Sequence, residues 1–211
     1  AIFVLLRGTL QSYRLIRQLN PDAVVGFGGY PSVPPLLGAV LAGVPTFIHE
    51  QNGVMGRANR FVAPFAKAIA TGFEKPKGLS EKLTSKSHHI GNPIRPLVRE
   101  AMNISYPPLY PQSEFHLLIT GGSQGARIMS TIVPEAIALL SPDIKARMRI
   151  THQARGEDLE TAKRLYAEAG VMADIRAFFD DLPMRIAEAH LVIGRAGAST
   201  IAELAVIGRP S

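Results

Sequence analysis

The sequence predicts an α/β protein built of two doubly wound parallel sheets. Three observations lead there. Short β-branched runs alternate with longer helix-like stretches along the 211 residues. A Pro-rich connection, including YPPLYPQ (106–112), separates two such blocks. Glycine-rich and polar loops fall where strands give way to helices, the edge at which parallel α/β sheets bind ligands.

The elements follow in order. Residues 2–19 form a helix, with Leu6, Leu10, Tyr13, Ile16 and Leu19 near helical spacing. NPD breaks it, and AVVGF (23–27) is a buried strand. LLGAVLAGV (36–44) is a helix closed by Gly43 and Pro45, followed by the strand TFIHE (46–50). Residues 56–66 are helical, 68–73 a strand, and the Lys- and Ser-rich stretch 74–89 a loop. The domain boundary falls in the following Pro-rich region, dividing 1–94 from 95–211. Beyond it come strands at 115–120, 148–153, 174–179 and 190–194. Helices run from the glycine loop to about Leu140 and over 157–170, 182–189 and 199–207. The chain starts without Met, inside a helical pattern, and stops at GRPS where a strand is due. It therefore reads as an internal piece of a longer protein, with both sheets truncated.

Composition narrows the classes. With no Cys, disulfides and thiolate chemistry are excluded. No apolar run approaches the roughly 20 residues of a membrane-spanning helix. The net charge of +6 is uneven: residues 57–99 carry nine basic and two acidic side chains, leaving the remainder slightly negative. Such a field favours phosphates, nucleic acid or an anionic membrane, or is a solvated loop.

Four loops carry the chemistry. TGGSQGAR (120–127) ends a strand and opens a helix, so backbone N–H groups and the helix dipole can meet a phosphate. It has neither the Lys-Ser/Thr pair of a P-loop nor G-x-G-x-x-G spacing. GRAGASTIAE (194–203) repeats the arrangement. There Glu203 has two readings: a capping-box carboxylate paired with Thr200, or a group gripping two vicinal hydroxyls of a ribose. GFGGYPSVP (26–34) sets three glycines around Phe27 and Tyr30, exposing amides to a diphosphate. HEQNG (49–53) collects four polar groups at a strand end, which packing alone does not explain. Asp180-Asp181 reads as a helix start rather than a metal pair. The six His residues lack metal-ligand spacing, and no G-x-S-x-G elbow occurs.

GGYPSVPPLLGAVLAGVPTFIHEQNGVMGRANR, GNPIR, TGGSQGAR, FFDDLP and GRAGASTIAEL, in this order, resemble the MurG family of bacterial peptidoglycan glycosyltransferases. The resemblance spans nearly the whole chain and implies a GT-B fold of two Rossmann-like domains. It implies inverting transfer of N-acetylglucosamine from UDP-GlcNAc to an undecaprenyl-linked acceptor, lipid I, giving lipid II. Asn52, Arg95 and Ser123 would contact the donor, with Gln124 in the same loop. The Phe179 backbone would recognise uracil, and Ala198, Ser199, Thr200, Ile201, Ala202 and Glu203 would cradle diphosphate and ribose. Gly28, Gly29 and Tyr30 would face the acceptor diphosphate. His49, Glu50 and Asn59 would line the cleft, with His49 and Glu50 the candidates for proton handling. No cofactor, obligatory metal or nucleic acid is implied.

The implied location is peripheral, on the cytoplasmic face of the bacterial cell membrane. Phe3, Leu6 and Leu10 with Arg7 and Arg14 would either touch anionic lipid or pack into their own domain. The family's GGTGGH loop, whose His is the usual base candidate, and its C-terminal Gln-bearing loop have no counterpart here, so turnover by this piece alone is not expected. Ser130 stands where relatives often carry Asn. Competing readings are a UDP-sugar epimerase on the same fold, against which HEQNG speaks, and a non-catalytic nucleotide-sugar-binding module.

Overall fold

A computed structural model describes residues 2–121 and 127–211. The chain divides into two compact units, meeting between Asn92 and Pro93.

The first unit opens with α1 (Ile2–Leu19), then β1 (Val24–Gly26), a 3-10 turn (Tyr30–Ser32) and α2 (Val33–Leu41). β2 (Thr46–Glu50), α3 (Arg57–Val62), a second 3-10 turn (Ala63–Phe65) and β3 (Ala68–Thr71) follow, then α4 (Glu81–Thr84) and β4 (Ser87–His89). The four strands lie in chain order, all parallel. Ile48 and Ile69, fully buried at the sheet centre, pack with Leu36, Val62 and Met55. Each such side chain contributes roughly 1.5–3 kcal/mol of burial free energy.

Two expectations change here. The stretch read as a loop over 74–89 contains α4 and β4. The strand SHH has no β-branched residue to announce it; its backbone pairs with β3, and Lys86 Nζ donates to the Pro64 and Ala66 carbonyls beside it. The inward stripe of α1 is also rotated. Thr9 and Ile16 are buried, whereas Leu6, Leu10 and Leu19 face outward. The cause is a close helix pair: a Cβ on Gly38 of α2 would sit 2.8 Å from the Tyr13 nitrogen of α1. Small residues set the contact face where large ones suggested it.

The second unit begins with α5 (Pro96–Ala101), β5 (Phe115–Thr120), α6 (Met129–Ala138) and α7 (Pro142–Arg147). Then come β6 (Met148–Gln153), α8 (Gly156–Glu168), β7 (Ala173–Arg176), α9 (Leu182–Glu188), β8 (Leu191–Gly194) and α10 (Ala198–Ile207). The short helices α5 and α7, each opening on a proline, were not expected. The parallel sheet has the order β7-β6-β5-β8. One face packs α6 and α8 through Val133, Ile137, Ala162 and Tyr166; the other packs α5, α9 and α10 through Val98, Ile186 and Leu204. Arg209, buried, donates to the carbonyls of Ala187, Ile207, Gly208, Ile104 and Ser105, tying the entry segment to α9 and α10.

The strand order reverses between β5 and β8. Thr120 and Gly194 are register partners at the carboxyl ends of these neighbours. That is a topological switch point, where open α/β sheets present ligand crevices.

Candidate functional site

Two groups of residues stand at strand ends, one in each unit. In the second unit, α10 begins directly after β8. Its N-cap is Gly197, in extended conformation, and no side chain caps the helix. The first intrahelical bond is Ile201 N to Gly197 O, at 2.9 Å. The amides of Ala198, Ser199 and Thr200 thus precede the hydrogen-bonded ladder, in the position that suits an anion.

The capping reading of Glu203 does not hold. The helix starts at Ala198, so Glu203 lies more than a turn inside. Its carboxylate is instead gripped by Arg95: Nε donates to Oε1 at 2.8 Å and Nη2 to Oε2 at 2.9 Å. Glu203 is buried, while the Arg95 side chain is half exposed. Arg95 stands at the N-cap of α5, held extended by Pro96. Ile201 is partly exposed and Ala202 half-buried on the same helix.

Phe179 is buried beneath two guanidinium groups, Arg185 at 4.3 Å and Arg176 at 5.5 Å from its ring centroid. Arg185 donates to Asp181 (2.8 Å) and Asp174 (3.0 Å), and Arg176 to the other Asp174 oxygen. The Arg185 hydrogen bond holds the Asp181 carboxyl below its ordinary range. Asp181 therefore serves as a partner to Arg185, and makes no side-chain cap on α9. Gln153 ties this loop to the switch point: Thr120 Oγ1 donates to Gln153 Oε1 at 2.9 Å, and Gln153 Nε2 donates to Ala177 O at 3.3 Å. The sequence reading passed over Gln153, although a polar residue ending the strand MRITHQ is the same signal as HEQNG. Ser123 and Gln124 lie outside the described residues.

In the first unit, Gly28, Gly29, Tyr30, His49, Glu50, Asn52 and Asn59 gather at the carboxyl ends of β1 and β2. Gly28 and Gly29 have φ of 81° and 78°, and a Cβ on Gly28 would press 3.1 Å from Asn59 Nδ2. Left-handed backbone and close approach both demand glycine at that position. Tyr30 is largely exposed.

Glu50 is the hub. Its Oε1 accepts from Asn52 N and Nδ2, both at 3.0 Å; its Oε2 accepts from Gly56 N at 2.8 Å and Asn59 Nδ2 at 2.9 Å. Burial works against the charge, but the Gly56 amide, Asn59 and Asn52 outweigh it and hold the pKa below the ordinary value. With 1% of its surface exposed and four donors on two oxygens, this carboxylate offers no open lone pair to an incoming proton. That geometry is an organiser's, at odds with the expectation of a cleft-lining proton acceptor. His49 differs. Its Nε2 donates to Gly91 O at 3.0 Å, while Nδ1, although buried, has no partner among the described residues. The Phe27 ring packs 5.8 Å away. Asn92, which also escaped the sequence reading, donates to Gln51 O and steadies the same loop.

Residues 1–71 match the glycosyltransferase family 28 N-terminal domain, and residues 116–211 its C-terminal domain. A curated relative from Methylobacterium sp. (strain 4-46), the UDP-N-acetylglucosamine--N-acetylmuramyl-(pentapeptide) pyrophosphoryl-undecaprenol N-acetylglucosamine transferase, is 53% identical over 100% of this chain and 57% of its own length. The chain thus spans little more than half the length of the curated relatives it matches. The crystal structure of Acinetobacter baumannii MurG is 32% identical, with a TM-score of 0.69 over 97% of this chain and 56% of that one. UDP-GlcNAc 2-epimerase from Neisseria meningitidis, solved with UDP-GlcNAc bound, shares the fold at 14% identity, with a TM-score of 0.63 over 98% of this chain and 62% of that one.

Proposed function

The chain belongs to the MurG group of glycosyltransferase family 28, of GT-B fold, and on that premise we propose that it carries donor-binding and acceptor-side parts of an inverting N-acetylglucosaminyltransferase. The reaction moves N-acetylglucosamine from UDP-GlcNAc to the undecaprenyl-linked acceptor lipid I, forming lipid II. The observation that carries this reading is the β5–β8 switch point, where Glu203 and the open N-terminus of α10 stand together.

In this reading the first-turn amides of α10 receive the diphosphate, Glu203 takes the ribose hydroxyls, and the loop ending at Phe179 reads uracil through its backbone. The acceptor hydroxyl oxygen attacks the anomeric carbon in line. The bond from that carbon to the diphosphate oxygen breaks, UDP departs with the electron pair, and a base takes the hydroxyl proton. Helix N-terminal amides stabilise the charge that grows on the leaving diphosphate, which makes a metal unnecessary. In the first unit, the Gly28-Gly29 turn and Tyr30 meet the acceptor diphosphate. His49 keeps one ring nitrogen uncommitted for hydrogen bonding or proton handling, and Glu50 holds Asn52 and Asn59 in place.

No helix among the described residues is long and apolar enough to cross a membrane. The outward face of α1 presents Phe3, Leu6 and Leu10 beside Arg7 and Arg14. That face supports peripheral attachment to the anionic cytoplasmic side of the bacterial membrane.

The test is a transfer assay on the full-length product of the gene, with labelled UDP-GlcNAc, lipid I and EDTA. Chelator-resistant transfer of label to the lipid supports the reading. Release of UDP-N-acetylmannosamine without transfer replaces it with an epimerase.

A further inference from the structure

The grip of Arg95 on Glu203 has a functional consequence. We propose that Arg95 is a positioning residue for ribose recognition. It acts on the nucleotide through the Glu203 carboxylate, and not as a direct diphosphate contact. The inference rests on the donor-site reading above.

The stoichiometry of lone pairs comes first. An ionised carboxylate has about four acceptor positions, two on each oxygen. Arg95 takes one on Oε1 through Nε and one on Oε2 through Nη2. One position is left on each oxygen. Two vicinal hydroxyls, each donating one hydrogen, match that remainder. A 2′-deoxy sugar leaves one of them unfilled.

The second consideration is burial. Glu203 is 8% exposed, so its charge needs a fixed partner even before a ligand arrives. The planar fork of arginine provides one that also sets the plane of the carboxylate, which a lysine ammonium does not. Both partners stand on rigid elements. Val98 and Ala101 of α5 are fully buried in the same core cluster as Leu204 and Ile207 of α10. The pair therefore joins two packed helices and needs no loop to close.

Calorimetric titration of the chain with UDP and with 2′-deoxy-UDP tests this directly, on wild type, Arg95→Ala, Arg95→Lys, Glu203→Ala and the Arg95→Ala/Glu203→Ala double variant. Circular dichroism on each confirms folding. Wild type is expected to prefer UDP by about tenfold, the value of one hydroxyl hydrogen-bonded to a charged group. Arg95→Ala is expected to bring that preference to within about twofold, as does Glu203→Ala, and the double variant is expected to bind no worse than either single one. Arg95→Lys keeps the charge and folds with it, yet loses most of the preference.

An Arg95→Ala variant that binds both nucleotides more weakly by one common factor, with the preference intact, overturns the proposal in favour of direct phosphate contact. A fully retained preference in Arg95→Lys overturns the geometric cause. Equal binding of both nucleotides by wild type removes ribose reading from Glu203 and the proposal with it. Wild type that is folded and binds neither nucleotide overturns the donor-site reading itself.

Discussion

The guanidinium of Arg185 lies 4.3 Å from the centroid of the Phe179 ring, and two carboxylates, Asp174 and Asp181, hold it there. A cation over an aromatic face, partly desolvated and charge-paired, is worth about 0.5–2 kcal/mol. Arg185→Ala is therefore expected to lower stability by about 1–2 kcal/mol and to loosen the loop over 177–181. The midpoint of urea denaturation gives the first effect. Uridine binding, expected to weaken several-fold, gives the second.

Glu50 separates an organising carboxylate from a catalytic one. Glu50→Gln replaces an acceptor by an amide nitrogen that faces donors from Gly56 and Asn59 or from Asn52. The expected cost is about 2–4 kcal/mol, read as a lower unfolding midpoint. A general base would behave otherwise: the same substitution would leave stability unchanged and abolish only turnover.

His152 supplies a pH signature. Its ring is fully buried in the core with Nδ1 2.9 Å from Tyr166 Oη, and burial lowers its pKa to about 4. The unfolded chain holds a proton on this group below about 6.5, while the folded one does not. Stability is thus complete above about pH 6.5 and falls as pH drops from there to about 4, by roughly 2–3 kcal/mol in all. Denaturation curves across that window should show the slope. His152→Leu should flatten it, whatever it does to the absolute stability.

The outward face of α1 is testable apart from the nucleotide. Leu6→Glu with Leu10→Glu is expected to reduce sedimentation with phosphatidylglycerol vesicles about tenfold or more, leaving UDP binding unchanged. Retained vesicle binding would remove this face from membrane attachment.

Legibility in the sequence followed the physics of each element. The strands Thr46–Glu50, Phe115–Thr120 and Met148–Gln153 were readable end to end, the first two from apolar and β-branched runs largely buried in the sheet, the third from alternation around the buried Met148 and Ile150 with Arg149 exposed between them. Ser87–His89 was not, because three polar residues at a sheet edge carry no apolar pattern; backbone pairing with β3 and the bonds of Ser87 to Leu83 O and of His89 to Gly72 O hold them. The direction of α1 escaped because Gly38 admits a close neighbour that hydrophobic periodicity does not register. At the candidate site, glycine turns and strand-end polar groups pointed to loops that the structure sets at the carboxyl ends of the strands. The partners stayed hidden: Arg95 is 108 residues from Glu203, and local spacing offered a helix cap instead.

Calorimetric titration of this chain with UDP-GlcNAc, wild type against Glu203→Ala, addresses the donor site most directly. Saturable binding by wild type that weakens at least tenfold in Glu203→Ala is the expected result. Binding that is indifferent to the substitution, or its absence in a wild-type chain shown to be folded, would contradict a nucleotide-sugar site built around α10.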